Sequence, residues 1–150
     1  MGSTAFRDRV SAAASVAEQA EGAATFASIA REPTQIVARA TREAGAWEAA
    51  AESAFEVAEA AVREQVPNSV FVAAAWRAAA QAHKSAASDA TARAERVLEV
   101  ALVRERQSGV GTIVWVARRT LRAPVWAWRS TRAVSKAVRA TSAAIAVSPQ

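Results

Sequence analysis

The chain has no cysteine, no tyrosine, one histidine and three leucines in 150 residues. Each scarcity excludes some chemistry. Without Cys there are no disulfides, thiolate zinc sites, iron–sulfur ligation or cysteine nucleophile, and a lone His removes most imidazole chemistry. Long apolar runs are also missing. The longest stretch free of Asp, Glu, Lys, Arg and His covers 65–76, well short of the roughly 18 to 20 apolar residues of a spanning helix. No transmembrane span is expected. At the N-terminus Arg7 and Arg9 flank Asp8 with no apolar block after them, and Phe6 stands where a myristoylation motif needs Ser or Thr. Neither a secretory signal nor a lipid anchor is therefore expected. The Ala/Ser-rich first 17 residues are leader-like in composition, but the helical pattern runs through them without a seam, so they read as part of the fold.

What the chain has in abundance is alanine, 43 residues of it. Ala is the best intrinsic helix former, so this bias favours long helices over sheets. Proline and glycine divide the sequence into four segments whose apolar residues recur at three- and four-residue spacing. The first covers about 4–31, with Phe6, Val10, Ala13, Ala17, Ala20, Ala24 and Ala27 on one stripe; Gly22 weakens it and Pro33 ends it. The second covers about 33–65, with Val37, Ala40, Ala44, Trp47, Ala51, Ala54 and Ala58 in line, and Pro67 forces the next break. A third follows over about 69–107, with Ser69 as its expected N-cap and a seam of Ala73, Trp76, Ala80, His83, Ala87, Ala90, Ala94, Val97 and Ala101. Thr112 caps a fourth over about 112–147, in which Pro124 predicts a kink or a break.

The expected architecture is all-α: four long Ala-rich helices in antiparallel hairpin or bundle packing, the last one basic, amphipathic and kinked near Pro124. Residues 1–108 form a three-helix region, and 109–150 a C-terminal helix that either joins the bundle or projects as an arm. Ala seams let backbones approach closely, but each buried methyl contributes only about 0.8 kcal/mol, against about 2 to 3 for a buried Leu. The core is thin. Phe6, Phe26, Phe55, Phe71, Trp47 and Trp76 are the large side chains available to anchor it, and most are expected inside.

The net charge of +5 hides an asymmetry. Residues 1–100 carry 10 basic and 13 acidic side chains, whereas 101–150 carry nine basic and one acidic. On a helical wheel Arg118, Arg122, Arg129, Arg132, Lys136 and Arg139 gather on one side of the last helix, and Val116, Thr120, Ala123, Ala127, Val134, Val138 and Ile145 on the other. Trp115 and Trp126 mark one border and Trp128 the other. Together with Arg119 these basic and tryptophan side chains form the expected interaction surface. The pattern suits anionic lipid headgroups. It equally suits neutralisation by the Glu48, Glu52, Glu56 and Glu59 ladder, within the bundle or on a neighbouring subunit. Nucleic acid has weaker support, because no helix-turn-helix, zinc or RNP signature is present.

Catalytic constellations do not assemble. His83 sits on an Ala seam, where a buried or partner-bonded role is the ordinary one, and Ala80 occupies the place of the Glu that a di-iron bundle places three residues before its His. The Glu ladder lacks the turn and complementary oxygens of a calcium loop. Gly109-Val110-Gly111 reads as a hinge, and neither a Walker motif nor Gly-x-Ser-x-Gly occurs. No cofactor, metal or small-molecule substrate is expected, and no enzymatic activity. Three function classes remain: a helical accessory or structural subunit of a larger, membrane-associated assembly; a peripheral lipid-surface protein, working through the basic helix; and a nonspecific nucleic-acid binder. The expected location is intracellular or organellar, peripheral to a membrane.

Overall fold

A computed structural model of the chain describes residues 2–107 and 137–139. Three long helices account for nearly all of them: α1 (Gly2–Ser28), α2 (Pro33–Arg63) and α3 (Ser69–Gln107). At about 1.5 Å per residue they run roughly 40, 46 and 58 Å. Connections this short return each helix antiparallel beside its predecessor. The described part of the fold is all-helical, and its helices pack on each other through the Ala seams. The expected helix over 112–147 and its kink at Pro124 lie outside the described residues, apart from 137–139, which are helical.

Prolines set the breaks. Glu32 is held extended, at φ −88° and ψ 142°, as the residue before a proline must be, and Pro33 opens α2 where its missing N–H costs nothing. At the other end the N–H of Gln65 donates to the Val62 carbonyl (3.2 Å) and the N–H of Val66 to the Ala61 carbonyl (3.1 Å). This crossed pair satisfies two terminal carbonyls and turns the chain by placing Gln65 in the left-handed region, at φ 51°, a position that glycine usually fills. Asn68 is also left-handed, at φ 55°. Its carbonyl accepts the Val72 N–H at 3.0 Å, so Asn68 is the N-cap of α3 and the expected cap, Ser69, is the first helical residue.

The α2 helix lies in the middle. It packs on α1 along one side and more extensively on α3 along another, and among the described residues no close backbone approach joins α1 to α3. A central helix must bury a wider arc than a flanking one, and α2 buries two overlapping stripes. The main core gathers Phe6 with the Ala stripe of α1, Trp47 and Val57 from α2, and Val72 and Trp76 from α3. Ala30, Ile36 and Val97 form a smaller cluster beside the α1–α2 connection. Ala137 is fully buried in the main core and Val138 packs against it.

The expected stripes are buried almost throughout, but half of the expected anchors are not. Phe6, Trp47 and Trp76 are inside, whereas Phe26, Phe55 and Phe71 are 47%, 46% and 64% exposed. Phe26 and Phe55 sit one residue away from the buried stripe positions Ala27 and Ala54, which is 100° around the helix. Phe71 lies in the first turn of α3 beside buried Val72. All three point away from the packed seams, so helical phase decides burial here and side-chain size does not.

Candidate functional site

Of the side chains expected to form the interaction surface, Trp115, Arg118, Arg119, Arg122, Trp126, Trp128, Arg129, Arg132 and Lys136 lie outside the described residues. Arg139 is described. It is helical and exposed, directly after core-seated Ala137 and Val138. At this point the chain uses its small apolar side chains against the bundle and presents the cation outward.

The most concentrated polar chemistry is buried, between α2 and α3. Along α2 the positions Ile36, Ala40, Glu43, Trp47, Ala50, Ala54, Val57 and Ala61 repeat with alternating spacings of four and three, and all are buried. Along α3 the positions Val72, Trp76, Ala79, His83, Ala86, Ala90, Arg93 and Val97 do the same. Each stripe has one residue charged at neutral pH, and the two charges meet. An Arg93 Nη2 donates to Glu43 Oε2 at 2.6 Å, with the Glu43 side chain fully buried and that of Arg93 8% exposed. Trp47 Nε1 donates to the other carboxylate oxygen at 3.4 Å, and Arg93 Nε lies 3.7 Å from Asp89 Oδ2, one helical turn back. The carboxylate is thus engaged at both oxygens, as a buried charge requires.

His83 completes the cluster. Its ring stacks on Trp47, with centroids 5.3 Å apart and planes inclined by 21°, and it has no solvent exposure. Burial pulls its pKa down from 6.5 to about 4, so the imidazole is neutral at pH 7. The seam position of His83 was legible in the sequence. Glu43 and Arg93 were not, although their signal was present: each is the single charged member of a four-three repeat. The cluster is built around a buried ion pair, and no group of three His, Cys, Asp or Glu side chains among the described residues could hold a metal ion.

The exposed features lie elsewhere. Glu48, Glu52, Glu56 and Glu59 stand on the outer face of α2 with Phe55 and Val62 among them. Within this ladder only Glu59 has an ion-pair partner among the described residues, Arg63 at 4.0 Å on the same helix. Expected neutralisation of the ladder by the basic segment is not seen at Arg139, the described member of that segment, which makes no ion pair with it. Near the α1–α2 connection the Arg39 guanidinium lies 3.8 Å over the Phe26 ring and donates to the Phe26 carbonyl at 3.1 Å, so this exposed Phe is partly capped. Val70 and Phe71 are exposed at the start of α3, and Leu98, Leu102 and Val103 towards its end. No described helix is long and apolar enough to cross a membrane. No protein-family model, curated protein or solved structure matches this chain.

Proposed function

We propose that the chain is a non-catalytic, all-helical accessory subunit that docks on a larger, membrane-associated assembly. The observation that carries this reading is an inversion of side-chain size. The interior of the described fold is filled mainly by Ala, while Phe55, Phe71, Val70, Leu98 and Leu102 are about half exposed or more. Apolar side chains that add little to the fold's own core are available to stabilise contacts with another surface. The buried polar cluster holds its two opposite charges against each other, which fits a scaffold better than a site that turns over substrate.

Sedimentation of the native chain from a gently solubilised lysate, with a parallel high-salt wash, tests the proposal. Co-migration with a large complex that survives salt is the expected result, and migration as a small species in both conditions would overturn it. Peripheral binding to anionic lipid is a second reading, favoured by the outward Arg139 beside core-seated Ala137 and Val138. It predicts salt-sensitive attachment to anionic vesicles.

A further inference from the structure

Among the described residues no other helix covers the outer face of α2, a surface of definite chemistry. Glu48, Glu52, Phe55, Glu59 and Val62 fall within about 80° of one another around the helix, given 100° per residue, and all five are exposed. Phe55 is 46% and Val62 49% exposed, which makes an apolar edge running beside the row of carboxylates. Nothing in the interior calls for this arrangement, because α2 already buries its wide arc against both neighbours.

The same chain carries the complement. Residues 101–150 hold nine basic side chains and one acidic, and 118–139 contain Arg118, Arg122, Arg129, Arg132, Lys136 and Arg139 at helical spacing. Arg139 is exposed, while Ala137 and Val138 beside it are occupied by the core. One copy therefore offers an exposed acidic helix face with an apolar edge, together with an outward basic side chain at the end of a basic segment. Two such copies can satisfy each other by reciprocal exchange, the closed two-fold arrangement that most homo-oligomers adopt. Charge complementarity of this kind sets register and encounter rate, and the half-exposed Phe55 and Val62 supply apolar area beside it.

We infer that the outer face of α2, where Glu48, Glu52 and Glu59 line up beside Phe55 and Val62, docks the basic segment 118–139 of a second copy of this chain in a reciprocal dimer. The inference rests on the docking reading above and names its first partner.

Sedimentation velocity of the full chain, at low salt and in about 0.5 M NaCl, is the test. The wild type is expected to be a dimer at low salt that dissociates in high salt. Two charge-reversed forms follow, Glu48→Lys with Glu52→Lys, and Arg129→Glu with Arg132→Glu. Each alone is expected to self-associate about tenfold more weakly or worse, since each sets like charges against each other. Mixed together they are expected to recover a salt-sensitive heterodimer, because both faces of the exchange are then complementary again. Both glutamates are exposed, and far-UV circular dichroism checks that each form keeps its helices.

A wild type that is monomeric at low salt overturns the inference, as does a dimer indifferent to both reversals, or a mixture that associates no better than its components. A monomer that instead sediments with phosphatidylglycerol vesicles overturns it in favour of lipid. A monomer that still co-migrates with a large complex in lysate overturns the dimer alone and leaves the accessory-subunit reading intact.

Discussion

Arg93 on α3 donates a 2.6 Å hydrogen bond to Glu43 on α2 across an interface otherwise lined by apolar side chains and His83. The pair lies 50 residues apart in sequence and fixes which turn of one helix faces which turn of the other. Ala seams with a repeating four-three spacing match themselves nearly as well after a shift of seven residues, so shape alone specifies register weakly. A shifted pairing would strand both charges in the interior.

Removing one partner should therefore be costly and removing both should not. Glu43→Ala or Arg93→Ala is expected to lose about 3 to 5 kcal/mol, because an unpaired buried charge remains. Glu43→Leu with Arg93→Leu is expected to match or exceed wild-type stability while giving a broadened, heterogeneous amide NMR spectrum as register loosens. Urea unfolding followed by circular dichroism measures the first effect. A double variant as unstable as either single one would show that the pair contributes net stability rather than register.

Stability should also depend on pH through His83. Its folded pKa, lowered by burial to about 4, lies below the ordinary 6.5 of the unfolded chain. Between these values the unfolded state binds more protons, so the contribution is fully present above pH 6.5, is lost as pH falls towards 4, and changes no further below that. The loss is on the order of 3 kcal/mol. Titrating the urea midpoint of the wild type against His83→Gln isolates it from the carboxylates. Parallel curves over this window would contradict the assignment.

The aromatic residues should divide by phase rather than by size. Trp47→Ala and Trp76→Ala, both fully buried, are expected to cost about 3 to 5 kcal/mol each. Phe71→Ser and Phe55→Ser should change stability by no more than about 0.5 kcal/mol while weakening association with partners. Thermal unfolding of the isolated chain separates the two groups, and a large destabilisation at Phe71 would place it in the core after all.

Backbone substitutions should stabilise at three positions. Gly22 and Gly45 are exposed and helical, and a Cβ added at either meets nothing within 4 Å. Gly22→Ala and Gly45→Ala are each expected to gain about 0.5 to 1 kcal/mol. Gln65→Gly, at a left-handed φ of 51°, should gain by about 1 kcal/mol through relief of the Cβ clash. A midpoint lowered by Gly45→Ala would mean that this surface is covered in the folded protein.

Much of the fold was legible before any coordinates. Pro33 and Pro67 place the breaks because their effect on the backbone is local, and the Ala stripes of all three described helices are buried because helical periodicity is local too. The expected surface of basic and tryptophan residues is represented among the described residues by Arg139 alone. Phe26, Phe55 and Phe71 lie off the apolar stripes that the sequence itself shows, so their exposure follows from helical phase, and side-chain size alone points the wrong way. Glu43 was passed over because a lone carboxylate on an apolar stripe becomes interpretable only when its partner is known.

By itself the sequence determined the helical class, the extents of α1, α2 and α3 to within two or three residues, and the segregation of charge between residues 1–100 and 101–150. These depend on backbone propensity, proline geometry and composition, which act over a few residues at a time. Tertiary structure decided that α2 is the central helix, that Glu43 meets Arg93, that His83 stacks on Trp47, and that Ala137 reaches the core. Each of these joins residues far apart along the chain. Which of several equivalent Ala surfaces come together is settled by where a few charged and aromatic side chains can be satisfied at once.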